Sequence, residues 1–302
     1  MSFDYELAYR MLYLIRRTEE EIVTRYHRDS LMRCPTHLSI GQEASAVGVM
    51  MALQPEDRVW AYHRCHAHYL AKGGDLDAMV AELHGKAIGC AGGWGGSMHL
   101  ADESVGFTEG STAVGNCTSI AVGAAFANNL EGNEKVVATF FGDATVETGQ
   151  FWESVNFASL HHLPIMFVCE NNLYSTATPL NQRQPDSPIY KRLKEFMWSA
   201  QVSDENIENI HTAALKCREA GPGFLEVSTY RFLAHVGPNF DWDLGYRTEE
   251  EVRGRMAQDT LPEVRGKIKE SVAEEIEYSV TARVLLAFER AEAAPWPEAI
   301  GV

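Results

Sequence analysis

Apolar and polar positions repeat along this chain with two periods, and the period predicts each element. From Tyr5 to His27, Leu7, Met11, Leu14, Ile15, Ile22 and Tyr26 share one face at helical spacing, with Arg16, Arg17 and Glu19 to Glu21 off it as a solvated face. This predicts an N-terminal helical extension over about residues 1–30. His37 to Gly41 reads as a turn into a second helix, Gln42 to Leu53, and Leu76 to His84 as a helix closed by Gly85. Thr118 is the expected cap of a helix from Ser119 to Leu130, whose Ser119, Gly123 and Ala127 permit close packing. Gly110 to Cys117 and Ser175 to Pro188 read as loops. Glu205 to Ala220 is helical, Gly221-Pro222-Gly223 breaks it, and Phe224 to Tyr230 alternates as a strand. Thr248 to Ala294 is a helical C-terminal extension within 248–302, followed by a tail from Pro295 to Val302.

The most informative stretch lies between. Val136 to Phe141 is a wholly apolar run ending at Gly142-Asp143, which predicts a strand buried on both faces. Gln150 to His162 follows at helical period with Phe151, Val155 and Ala158 on one side, until Pro164 stops it. Ile165 to Cys169 is a second apolar run, ending at Glu170-Asn171-Asn172. Strand, helix, strand makes a βαβ unit, with parallel strands and a right-handed crossover. Val59 to Tyr62 is a further short strand candidate.

Ligands of open parallel sheets sit outside the carboxyl ends of the strands, where Asp143 and Asn172 both fall. A carboxylate and an amide oxygen suit a hard cation that keeps positions for phosphate oxygens. A Gly-Asp turn and an Asn-Asn turn can each be merely a loop former. Their combination within one βαβ unit, with 27 residues between the pairs, favours a cation clamping a diphosphate.

Composition narrows the classes. At 302 residues and 45% hydrophobic, the chain can bury a large α/β core, and we expect one domain over 1–302. A net charge of −16 argues against nucleic acid and anionic membranes as partners. Six cysteines without a C-x-x-C pair fit reduced thiols in a cytoplasm, and the start of the chain does not look like a signal peptide. No run of 18 apolar residues suggests a membrane span.

Three further segments carry candidate chemistry. His63, Arg64, His66 and His68 follow the short strand; the histidines could bind zinc, but no Cys, Asp or Glu stands at a typical ligand spacing. Arg64 is better suited to a diphosphate oxygen. Gly89 to Gly96 holds five glycines in eight residues and leads to Ser97-Met98-His99, without the Lys-Ser/Thr ending of a phosphate loop. Arg231 to Arg247, containing His235, is a long irregular segment of the kind that is usually functional.

Gly142-Asp143-Ala144, the intervening helix and Asn171-Asn172 closely resemble the thiamine diphosphate motif, with Ala144 in place of its third glycine. With Gly-Gln-Glu-Ala at 41–44 and Gly-Gly-Ser-Met-His at 95–99, the chain resembles the α subunits of the decarboxylating component of 2-oxo acid dehydrogenase complexes over about residues 5–290. The resemblance implies an α/β thiamine diphosphate-binding fold, a mostly parallel sheet flanked by helices with helical N- and C-terminal extensions. It implies thiamine diphosphate and Mg2+, with Ca2+ or Mn2+ as substitutes, and metal ligands Asp143, Asn172 and the backbone carbonyl of Tyr174. Gly142, Ala144, Arg64, His63, Val114 and His235 would line the cofactor, Val114 against its aminopyrimidine ring. His66, His99 and His235 become the catalytic candidates. His63 stands where relatives often have tyrosine, Trp94 where they have a basic residue, and Val236 where regulated relatives carry a phosphorylatable serine. Implied partners are a β subunit in an α2β2 heterotetramer, which supplies the activating glutamate, a lipoylated dihydrolipoyl acyltransferase and a small 2-oxo acid. Acetoin dehydrogenase α subunits, other split-chain thiamine enzymes of transketolase or acyloin-forming type, and a non-catalytic paralogue are the rival readings.

Overall fold

The computed structural model describes residues 3–26 and 32–298. His27, the last residue of the expected first helix, and the end of the expected tail from 299 onward lie outside the described residues. The helices are α1 (Tyr5–Tyr26), α2 (Glu43–Met50), α3 (His66–Ala71), α4 (Leu76–Leu83), α5 (Asn116–Glu131), α6 (Gly149–Leu160), α7 (Ile189–Arg192), α8 (Ile207–Ala220), α9 (Glu249–Met256), α10 (Thr260–Arg265) and α11 (Glu270–Ala293). The strands are β1 (Arg58–Tyr62), β2 (Phe107–Ser111), β3 (Val137–Gly142), β4 (Ile165–Asn171), β5 (Tyr174–Ser175), β6 (Thr178–Pro179), β7 (Trp198–Ser203) and β8 (Gly223–Ser228).

Six strands form one sheet in the order β2-β1-β3-β4-β8-β7, every pairing parallel, while β5 and β6 make a separate hairpin. The chain leaves β1 for β2 on one side, then crosses back to β3 on the other. The order therefore reverses between β1 and β3, which is where open α/β sheets bind ligands. The side-chain period of two divides each strand between two cores. Ala138 and Phe140 of β3 and Met166 and Val168 of β4 face α2, α8 and the α1 and α11 layer, whereas Phe141, Phe167 and Cys169 face α5 and α6. Full burial of each such phenylalanine stabilises by roughly 1.5–3 kcal/mol.

The expected βαβ unit is present as β3, α6 and β4, with Gly142 paired to Glu170 across the two strands. Several expectations are corrected. Thr118 is not a cap: α5 begins at Asn116 after Gly115 at φ +86°, and the Thr118 hydroxyl donates to the Gly115 carbonyl instead of accepting from an amide. On the α5 face expected to pack closely, Gly123 and Ala127 are exposed and a Cβ at Gly123 would meet nothing within 4 Å, while the Ser119 hydroxyl accepts from Gln150 of α6 at 2.5 Å. The C-terminal extension is three helices, because Asp259 caps α10 anew at the Leu261 amide. The charged face of α1 is not wholly solvated: Arg16, Glu19 and Glu21 are buried. Each is paired, Arg16 with Glu43 and Asp259, Glu21 with Arg17 and Arg25, and Glu19 with the Ser39 amide and His66. Among the described residues, no helix is long and apolar enough to cross a membrane.

Candidate active site

A cavity of about 220 Å³ opens at the carboxyl ends of β1, β3 and β4. Gly142, Asp143 and Ala144 enter it from the end of β3, Asn172 from the end of β4, Tyr174 from β5, and His63 and Arg64 from just past β1. Val114 comes from the loop after β2 and His235 from the long segment between β8 and α9. One register explains the first meeting: pairing of Gly142 with Glu170 sets Asp143 and Asn172 just past adjacent strand ends.

Asp143 is almost fully buried. Burial pushes its carboxyl above the ordinary range, against the pull of the Arg183 guanidinium, which pairs with Oδ2. Gln184 Nε2 donates to the Asp143 backbone carbonyl at 2.9 Å. Asn172 is fixed from both sides: its Nδ2 donates to Gln42 Oε1 at 3.0 Å, and its Oδ1 accepts from the Tyr174 amide at 3.1 Å. Gln42 reaches the Tyr62 hydroxyl, which lies against Glu170 beside Ser45 and His68. Burial raises the Glu170 carboxyl, and these partners more than offset it, leaving it below its ordinary value. Behind the metal-ligand candidates thus runs a buried polar chain that fixes which Asn172 atom is the acceptor.

The donors fit a cation with a phosphorylated cofactor. Asp143 brings carboxylate oxygens to the cavity lining, and Asn172, with its Nδ2 engaged by Gln42, brings its Oδ1, the oxygen donors that Mg2+ requires. Arg64 lines the same cavity; its Nη1 donates to the Leu38 carbonyl and its Nη2 to the His235 carbonyl, while its buried Nε has no partner.

The four neighbouring histidine candidates separate. His63 and His235 line the cavity. His66 does not: it is fully buried, with Nδ1 3.0 Å from Glu19 and Nε2 2.8 Å from the Ser97 hydroxyl, a brace between α1 and the glycine-rich stretch. His99 is exposed and also outside the lining. The glycine-rich stretch encloses a carboxylate of this chain. Buried Glu82 of α4 accepts from the amides of Ala91, Gly93, Gly95 and Gly96 at 2.7–3.0 Å. Gly93, at φ +83°, could not carry a Cβ, which would fall 2.7 Å from the Gly85 and Lys86 backbone.

The profile of the family described as "Dehydrogenase E1 component" matches residues 10–300. The chain belongs to that family. It is similar to the pyruvate dehydrogenase E1 component subunit alpha of Rickettsia bellii, 35% identical across 97% of this chain and 93% of that protein. The protein of the same name from Rhizobium meliloti is 35% identical across 86% of this chain and 76% of its own length. The testis-specific mitochondrial form from Homo sapiens is 34% identical across 81% of this chain and 63% of that protein.

In this member of the E1 component family, one cavity group and one partner of a cavity group escape the sequence reading. His37, whose stretch reads in sequence as a turn, joins His63 and His235, with ring centroids 4.7 and 5.1 Å away. Arg183 comes from a polar, proline-rich loop and carries no motif that announces its pairing with Asp143. Burial, reinforced by the Arg64 charge, lowers the imidazoles of His37 to about 3, His63 to about 2 and His235 to about 4. All three are therefore neutral at pH 7. In the unfolded chain they take up protons below about 6.5 that the folded chain refuses, so stability rises with pH across this window. Each contributes at most about 1.4 kcal/mol per pH unit. Denaturant midpoints should fall between pH 7 and 5, less steeply in His63→Phe; equal slopes in the variant and the parent would exclude this cause.

Proposed function

We propose that this chain is the α subunit of a thiamine diphosphate-dependent 2-oxo acid dehydrogenase, with pyruvate the first substrate to test in view of its relatives' names. The observation that carries the reading is the shared cavity of Asp143, Asn172 and Tyr174 at the point of strand-order reversal, in a chain of the E1 component family. Asp143, Asn172 and the Tyr174 carbonyl would hold Mg2+, and Arg64 would add a guanidinium to the diphosphate. When bound, thiamine diphosphate would supply a carbon nucleophile and an electron sink for decarboxylation. His63 and His235, neutral and facing the cavity, each offer one donor and one acceptor nitrogen to orient the substrate carboxylate and hold a proton beside the reacting carbonyl. Val114 lines the cavity from its exposed mouth, where it would lie against the aminopyrimidine ring.

Among the described residues no glutamate lines this cavity, so the activating glutamate is assigned to a β subunit, in an α2β2 assembly that passes the acyl group to a lipoylated acyltransferase. The six free cysteines support a reducing compartment such as the cytoplasm. The test is co-expression with the adjacent reading frame, followed by assay on pyruvate, branched-chain 2-oxo acids and acetoin with an artificial electron acceptor. The pair should turn over a 2-oxo acid only with thiamine diphosphate and Mg2+, and the isolated chain none. Turnover by the chain alone would overturn the assignment, and a pair active on acetoin alone would move it to the acetoin branch.

A further inference from the structure

We propose that His37, His63 and His235 form a binding site for a borderline divalent transition cation, Zn2+ or Co2+, in the same cavity as Asp143 and Asn172 but made of different ligands. One ligand nitrogen from each of the three rings can be chosen so that all lie within 4.8 Å of one another. The rings converge from three distant parts of the chain: the segment before α2, the end of β1 and the irregular segment after β8. The His63 and His235 ring centroids are 5.2 Å apart, closing the triangle. Around tetrahedral zinc, with Zn–N near 2.0–2.1 Å, neighbouring nitrogens stand about 3.3 Å apart. The site therefore forms by side-chain rotations that draw the nitrogens in by roughly 1–1.5 Å.

The donors are in the right state and of the right kind. Imidazole binds metal only when neutral, and burial keeps all three uncharged at pH 7. His37 is buried and its Nδ1 has no hydrogen-bond partner, a lone pair or N–H that the fold leaves unused. A nitrogen-only set selects zinc, cobalt, nickel or copper over magnesium, the reverse of the neighbouring Asp143 site. Three protein ligands leave a fourth position, which here faces the cavity and suits hydroxide or a carboxylate oxygen. Arg64 opposes a cation. Its two Nη groups are committed to the Leu38 and His235 carbonyls, and an anion at the fourth position offsets its charge. Such an ion would occupy the nitrogens assigned above to substrate, making it an inhibitor of turnover. That consequence rests on the proposed function; the site itself does not.

The experiment uses the full-length chain without an affinity tag, stripped with a chelator and titrated with Co2+. One equivalent should bind with the intense visible absorption of four-coordinate cobalt, be displaced by Zn2+, and resist a large excess of Mg2+. His63→Phe and His37→Asn should each weaken binding at least tenfold, with folding checked by circular dichroism, while the distant His161→Asn should not. Failure of the parent chain to bind one equivalent, or a weak six-coordinate spectrum, overturns the proposal without any variant. Affinity unchanged in both cluster variants overturns it too, as adventitious binding by other histidines.

Discussion

Asp143→Ala is expected to abolish metal-dependent binding of thiamine diphosphate, weakening it at least a hundredfold. Asp143 is the one carboxylate among the three proposed ligands, so the variant removes the charge that holds the cation, and the cation holds the diphosphate. A hundredfold loss corresponds to about 2.7 kcal/mol, modest for deleting a charged metal ligand. The fold should tolerate the change. Burial already strains the Asp143 carboxylate, and Arg183 keeps the Thr178 carbonyl at 3.1 Å and Glu147 as partners. The measurement is calorimetric titration with Mg2+ and the β subunit present; binding retained within a few-fold would refute the ligand assignment.

His235→Ala should have the opposite signature. The cofactor Kd should stay within a few-fold while kcat falls by about 10²–10⁴, the range for loss of a group that moves a proton. The backbone carbonyl of His235, not its ring, accepts from Arg64, so the alanine variant keeps the contact that holds the loop. An unchanged kcat would remove His235 from the mechanism. A kcat and Kd that fail together would mean that the ring supports the cofactor instead.

The sheet centre was legible because β3 and β4 are buried on both faces and read as unbroken apolar runs. Its edges were not. β2, Phe-Thr-Glu-Gly-Ser, and β7, Trp-Ser-Ala-Gln-Val-Ser, are edge strands, the first mostly buried and the second partly exposed, and both lack a clean apolar period, so nothing in their composition separates them from loops. The cavity shows the same division. Asp143 and Asn172 end strands that announce themselves, whereas His37 and Arg183 arrive from irregular chain whose path depends on contacts far away in sequence. His66, a catalytic candidate through the resemblance, lies outside the cavity lining because α3 starts at it and its ring meets Glu19 of α1.

The carboxylate of Glu82 reaches beyond its own helix. Because the rim from Ala91 to Gly96 is wrapped around that one anion, its shape is not encoded by the glycines alone. A designer who transplanted residues 89–99 onto another scaffold would move a floppy ribbon unless the helical glutamate travelled with it. Ser97, which accepts from the His37 amide and meets His66, would then lose its bearing as well. The heritable unit is the ribbon plus its internal counter-ion.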